Sequence, residues 1–246
     1  MFGKMLSQAI GAYLSNLRLI SFFSIPLIVA FPLALLLPNY VAASGIFLRL
    51  GSLGTDVGLP ETLLMIAILI VSLLLFSFAL VAVNSVIKAQ RSRLQLKHTD
   101  FERMEEATFR LFTVLLIAFL ATFAFNLLLY ETGVVSERTR LALNALFAGI
   151  VSLLVLFAPQ AIVIDNASPE HAFTLSASLL GRRLGSVVAL IVFGAALVAV
   201  NTLVFTTLQP AFGLAPLAGI VLNALVLVPF LEVVKVQIYL SKYNLL

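Results

Sequence analysis

Long apolar stretches alternate with short polar ones along this chain. The apolar stretches, none with a charge in its central turns, cover about residues 19–38, 62–86, 111–130, 141–164, 184–208 and 213–237. Each approaches or exceeds the roughly 20 residues that an α-helix needs to cross a hydrocarbon core. The pattern predicts an all-α fold, in which residues 1–246 form a single integral membrane domain. We expect a polytopic transmembrane bundle of six helices.

Amphipathic segments precede the first, third and fifth predicted spans. Residues 1–17 repeat apolar side chains at helical spacing, residues 101–109 place several on one face, and residues 168–183 are partly segregated. Such segments are typical of helices that lie in the membrane interface. We therefore predict three interfacial amphipathic helices. For residues 1–17 a cleaved signal peptide is the competing interpretation, although no small-residue cleavage site follows a short apolar core.

The one long hydrophilic run, residues 88–110, sets the predicted orientation. Its basic residues come mostly first, beside the end of the second apolar stretch: Lys88, Arg91, Arg93, Lys97, Arg103 and Arg110. Basic residues in short loops favour the cytoplasmic side. With six spans and both the N- and C-termini cytoplasmic, 12 of the 15 Lys and Arg residues fall on the inner side. We expect a multi-pass protein of the cell membrane.

Composition agrees with a membrane protein and narrows its chemistry. The chain is 62% apolar and 11% charged, with a mean hydropathy of +1.15, whereas soluble proteins have about a quarter charged residues. The net charge of +4 is explained by attraction to anionic lipid rather than by nucleic acid, because the basic residues adjoin apolar spans. The chain has no cysteine, which excludes disulfides and thiolate chemistry.

Two features inside the predicted spans break the apolar pattern. Pro26 and Pro32 lie in the first span and predict a kink, because each removes a backbone donor. Glu232 and Lys235 lie three residues apart on the last helix. An i, i+3 pair of opposite charges lowers the cost of placing them near the inner interface.

The segment PQAIVIDNASPEHAFTLSASLLGRRLG, residues 159–185, combines a helix exit, a short acidic loop and a helix that begins at a Ser-Pro pair. It resembles the recurring segment of six-helix membrane proteins related to the membrane domain of glycerophosphodiester phosphodiesterases. The matching positions are Ser168, Pro169, Ala172 and Ser176. The resemblance implies a six-helix membrane fold; standalone relatives are mostly of unknown function. The phosphodiesterase catalytic domain is absent, so no catalytic residue is carried over.

No pattern of catalytic or metal-binding residues stands out. The two histidines, His98 and His171, lie on different predicted loops, and zinc sites need three or four ligands brought together. The acidic residues between 100 and 106 are explained as a solvated helix start paired with Arg103 and Arg110. No phosphate-binding loop, nucleophile elbow or HExxH motif occurs. The sequence predicts a protein that is not an enzyme and has no cofactor or metal.

Two functions stay open at this point. The first is a non-enzymatic membrane protein that binds or organises lipids or a membrane partner. Its predicted headgroup-binding residues are Arg91, Arg93, Arg182 and Arg183. The alternative is a passive channel or small-substrate transporter, whose polar path would use Asn126, Asn144, Asn201 and Asn223. Predicted partners are membrane lipids, with a homo-oligomer or a membrane-protein partner also left open.

Overall fold

The computed structural model describes residues 2–36, 40–43, 46–49, 59–92, 98–131 and 136–243. The helices are α1 (Phe2–Ser15), α2 (Leu17–Leu36), α3 (Leu59–Ser92), α4 (His98–Glu131), α5 (Glu137–Val155), α6 (Ala158–Asp165), α7 (Pro169–Arg182), α8 (Leu184–Leu208), α9 (Ala215–Leu222) and α10 (Val228–Leu240). A π-helical segment, Asn223–Leu227, joins α9 to α10, and a 3₁₀ turn, Ser241–Tyr243, follows α10. Between α2 and α3, strands β1 (Tyr40–Ala43) and β2 (Ile46–Arg49) pair as a short antiparallel hairpin.

The described helices confirm the predicted all-α membrane fold. Five segments are long and apolar enough to cross a bilayer: α3, α4, α5 with α6, α8, and α9 with α10. Helices α1 and α2 meet at a bend of 88° and together supply a sixth candidate. These apolar helices make the chain a multi-pass membrane protein. Helix α2 continues without a break through Pro26 and Pro32.

Helix α10 is the centre of the bundle. It packs against α1, α2, α3, α6 and α8, and every residue from Leu231 to Leu240 is buried. Helix α8 is much more exposed than α10. Its buried residues are Val187, Leu190 and Asn201, and most of its apolar side chains are exposed. Since exposed apolar side chains suit a lipid environment, α8 is the helix that offers most of its surface to the bilayer.

Helix α1 forms where the amphipathic pattern predicted it, but its apolar residues divide between two environments. Met5, Ala9 and Tyr13 are buried on the side of α1 that packs against α10. Ile10 and Leu14 are exposed, at 43% and 62%. The helix is therefore anchored to the protein on one face while keeping an apolar face outward, as an interfacial helix requires.

The separate interfacial helix predicted over residues 101–109 is wrong. These residues belong to α4, which runs without interruption from His98 to Glu131. The segment contains no glycine or proline that would end a helix. Met104 and Thr108 are buried, and Glu106 forms an i, i+4 ion pair with Arg110 across the junction. Continuous hydrogen bonding therefore carries the span beyond its apolar part.

The predicted span over residues 141–164 lies within one long apolar segment, residues 138–165. That segment is not a regular helix throughout, because α5 ends at Val155 and α6 starts at Ala158. Pro159 stands in the first turn of α6; its ring has no N–H and would clash with the carbonyl of residue 155 in a continuous helix. The break leaves the N–H of Phe157 without a helical acceptor. Ser176 of α7 supplies one, since its buried Oγ accepts that hydrogen bond at 3.0 Å.

Ser176→Ala is expected to lower the free energy of unfolding by about 1–3 kcal/mol, because the buried Phe157 N–H loses its acceptor. The measurement is reversible denaturation in mixed micelles. Ser178→Ala on the exposed face of the same helix is the matched control, and we expect it to change the free energy by less than about 0.5 kcal/mol. Equal effects of the two substitutions would contradict the role given to Ser176.

The last span departs from a regular α-helix at Asn223–Leu227, where π-helical turns replace α-helical ones. Pro229 follows at the start of α10. It has no N–H to donate to the carbonyl of Leu225, four residues earlier. The hydroxyl of Tyr13 donates to that carbonyl at 3.3 Å. The irregular segment thus provides the acceptor that fastens α1 to the centre of the bundle.

Candidate functional site

A cluster of buried polar side chains lies between α3, α6 and α10. Glu232 of α10 is its centre and accepts three hydrogen bonds. Oε1 accepts from Asn84 Nδ2 at 2.8 Å and from Gln160 Nε2 at 2.6 Å. Oε2 accepts from Lys235 Nζ at 2.7 Å. We call these four residues the polar cluster.

The polar cluster is shielded from solvent and from the surface that would meet lipid. The side chains of Glu232 and Lys235 are 2% and 3% exposed, and Asn84 and Gln160 are 0% exposed. Buried charges are tolerated when they are paired and hydrogen-bonded, as this carboxylate is. The i, i+3 pair predicted from the sequence is confirmed. The sequence did not predict its burial or its two amide partners.

The polar cluster lies inside the bundle and not at its rim. Glu232 is eight residues before the end of α10, and Asn84 is eight residues before the end of α3, which is about 12 Å of helix in each case. The sequence placed Glu232 and Lys235 near the inner end of the last span, and the structure adds that both side chains are buried. Ionisable groups buried in membrane helices are rare because they cost several kcal/mol, and they commonly mark a functional site.

A second polar network holds the turn between α6 and α7, residues 165–168, which we call the corner. Asn166 ends α6 in the left-handed conformation, with φ 54°, which asparagine tolerates better than most residues. The carboxylate of Asp165 accepts hydrogen bonds from the Tyr239 hydroxyl at 2.7 Å and from the Lys242 ammonium. The Lys242 nitrogen also lies 3.8 Å from the centroid of the Tyr239 ring. The end of α10 is thus tied to the corner.

Basic residues of α3 and α4 bind the same region. Arg110 donates to the side-chain and main-chain oxygens of Asn166 at 3.0 and 3.2 Å. Lys88 donates to the carbonyl of Val163. We use the name basic end for the part of the bundle formed by the end of α3, the start of α4, the corner, the end of α7 and the end of α10. Three basic side chains of this region, Lys88, Arg110 and Lys242, therefore bind other parts of the protein and stabilise the fold.

The four arginines predicted to bind headgroups have different surroundings. Arg182 is exposed in the last turn of α7. Arg183 is partly buried and donates to the carbonyl of Ser241 at 3.2 Å. Arg91 lies in the last turn of α3, and Arg93 lies outside the described residues. Of the two whose side chains the structure describes, Arg182 and Arg183, Arg182 is the more exposed.

The four asparagines predicted to line a polar path lie on separate helices. Asn126 of α4 and Asn144 of α5 are buried on helices that pack together. Asn201 of α8 donates to the carbonyl of Gly219 in α9 at 3.1 Å, so it holds two helices together. Asn223 begins the π-helical segment.

His171 does not meet acidic residues in a metal-binding arrangement, and the side chain of His98 lies outside the described residues. His98 begins α4, and His171 is exposed in the first turn of α7, where its main-chain N–H donates to Ser168 Oγ at 3.3 Å. Across the residues that the structure describes, no group of three or more His, Cys, Asp or Glu side chains is placed to hold a metal ion.

The motif positions in residues 159–185 have structural roles. Ser168 caps α7 and Pro169 occupies its first turn, as their types favour. Ala172 is fully buried against the bundle, and Ser176 binds the Phe157 N–H. No family model, curated protein or solved structure matches the chain. The resemblance to the membrane domain of glycerophosphodiester phosphodiesterases stays a prediction.

The polar cluster is the part of the site that sequence reasoning missed. Its members were each visible in the sequence, but they are 72 to 151 residues apart along the chain except for the pair on α10. A usable signal was the presence of two opposite charges inside an otherwise apolar run, because such a pair needs further polar partners when it is buried.

Proposed function

We propose that this chain is a non-enzymatic protein of the cell membrane whose basic end binds the headgroups of anionic lipids on the cytoplasmic side. One observation carries the proposal. Arg182 is exposed at the end of α7, and the helix that follows at once, α8, exposes Leu184 and Val188 at 58% and 50%. A cation next to a lipid-facing helix start is suited to a phosphate headgroup whose acyl chains cover that helix.

Electrostatics sets the expected size of the effect. A basic residue near an anionic membrane surface contributes about 1 kcal/mol, so Arg182→Gln should weaken anionic-lipid binding about fivefold. Adding Arg91→Gln and Arg93→Gln should weaken it further. Raising the salt concentration should reduce the difference between wild type and variant, because exposed charges are screened.

The test is native mass spectrometry of the full chain released from nanodiscs that contain anionic and zwitterionic phospholipids. We expect anionic lipid to be retained by the wild type and to be depleted in Arg182→Gln. His171→Ala, an exposed change at the other end of α7, is the control and should retain lipid. Unchanged retention after the arginine substitutions would contradict the proposal.

A second candidate, transport of a small solute, is favoured by the buried polar cluster. Membrane proteins that move solutes often keep polar and ionisable groups facing the interior of the bundle. Solute flux into proteoliposomes that is lost in Gln160→Met and kept in Arg182→Gln would favour this second candidate over lipid binding.

A further inference from the structure

The polar cluster has more hydrogen-bonding capacity than the protein uses. Asn84 Oδ1 and Gln160 Oε1 are buried and have no hydrogen-bond partner within the described part of the chain. The Lys235 ammonium has three donors, and Glu232 is the acceptor that it binds. An unpartnered buried amide oxygen costs about 1–3 kcal/mol. Two unpartnered amide oxygens beside one ion pair indicate that another molecule completes the hydrogen bonding of the polar cluster.

The unused groups all belong to side chains that bind one carboxylate, that of Glu232. Both amides donate to the same oxygen, Glu232 Oε1, at 2.8 and 2.6 Å. Each unpartnered oxygen therefore belongs to an amide group whose nitrogen is bound to that carboxylate oxygen. Lys235 binds the other oxygen of the same carboxylate. A molecule beside this carboxylate is offered an amide acceptor and the remaining ammonium donors.

Charge restricts what the polar cluster would bind. Glu232 and Lys235 balance each other in their ionised forms. A charged ligand would therefore leave a net charge among side chains that are at most 3% exposed. The effective penalty for such a charge is several kcal/mol. A ligand without net charge avoids this penalty.

We propose that the polar cluster is a binding site for a small uncharged hydroxyl compound, which donates to Asn84 Oδ1 or Gln160 Oε1 and accepts from the Lys235 ammonium. Water and a short polyol are two sources of the same chemistry. A buried water needs two to four polar partners, and the polar cluster supplies them. The inference does not depend on lipid binding at the basic end and survives if that proposal fails.

Asn201 shows why the polar cluster differs from an ordinary buried amide. Its Oδ1 is also buried without a partner among the described residues, but its amide nitrogen donates to a main-chain carbonyl of α9, and no ion pair adjoins that bond in the described structure. A single isolated acceptor gives a ligand only one hydrogen bond. Asn201 is therefore an internal reference for a polar group inside the bundle that is not part of the proposed site.

The experiment is solid-state NMR of the full chain in lipid bilayers, with ¹⁵N-labelled lysine, asparagine and glutamine side chains. Magnetisation is transferred from mobile water, and then from added ¹³C-glycerol, to the side-chain nitrogens. The Lys235 and Gln160 signals are assigned by their loss in Lys235→Met and Gln160→Met. We expect transfer to the Lys235 and Gln160 nitrogens and its absence at the Asn201 nitrogen.

Each outcome decides the inference. Transfer from water alone supports the site with water as its ligand, and transfer from glycerol at the expense of water supports it with a polyol. Absence of both from Lys235 and Gln160 in the wild type would overturn it, and this arm needs no variant to fold. Equal transfer to Asn201 would also overturn it, because the bundle would then be hydrated without a specific site.

Discussion

Lys235→Met is expected to lower the free energy of unfolding by about 3–5 kcal/mol, because it leaves the carboxylate of Glu232 buried without its counter-ion. The pair is 2.7 Å apart, with side chains 2% and 3% exposed. The amides of Asn84 and Gln160 would still donate to the carboxylate, but neither carries a charge. The measurement is denaturation in mixed micelles, followed by the helical signal in circular dichroism.

Glu232→Gln together with Lys235→Met should recover most of that loss. The double variant is neutral, and the carbonyl oxygen of the new glutamine can still accept from Asn84 and Gln160. Replacing both members of a buried ion pair by uncharged groups of similar size is often close to neutral for stability. A double-mutant cycle should therefore give a coupling energy larger than that of ordinary neighbouring residues.

Glu106→Gln is the matched control, since Glu106 forms an intrahelical ion pair with Arg110 while its side chain is 64% exposed. Exposed pairs of this spacing contribute about 0.3–0.5 kcal/mol, so we expect a small change. If Lys235→Met and Glu106→Gln cost the same amount, the Glu232–Lys235 pair is solvated like a surface pair, and the importance given to its burial is wrong.

Asp165→Ala is expected to lower the free energy of unfolding by about 2–3 kcal/mol, because two hydrogen bonds are lost and one of them has a cationic donor. The Tyr239 side chain is 0% exposed, so its hydroxyl would lose a buried acceptor. The corner should also open more often, since Lys242 would no longer hold it to the end of α10. Unfolding in mixed micelles and limited proteolysis between α6 and α7 measure the two effects.

Glu170→Ala is the control for this change. Glu170 is an exposed carboxylate in the first turn of α7, where its interaction with the helix dipole contributes about 0.3–1 kcal/mol. Tyr239→Phe separates the two bonds, because it removes the hydroxyl and leaves the Lys242 pair in place. If Asp165→Ala costs no more than Glu170→Ala, the contacts of Asp165 do not stabilise the corner.

Much of the fold could be decided from the sequence. The length of an apolar run determines whether a helix can cross a bilayer, so α8 was predicted with the bounds at which it occurs, Leu184–Leu208. Local chemistry likewise predicted the start of α7, because Ser168 and Pro169 suit the cap and the first turn wherever the helix packs. These features depend on residues that are near each other in the chain.

Tertiary structure decided which helix is central and which residues meet. Helices α8 and α10 are both strongly apolar, yet α10 is enclosed and α8 is largely exposed. Hydropathy cannot separate them, because lipid tails are as apolar as a protein core. The polar cluster could not be predicted from local sequence for a related reason. Asn84, Gln160 and Glu232 come from three different helices, and only packing shows that one carboxylate binds both amides.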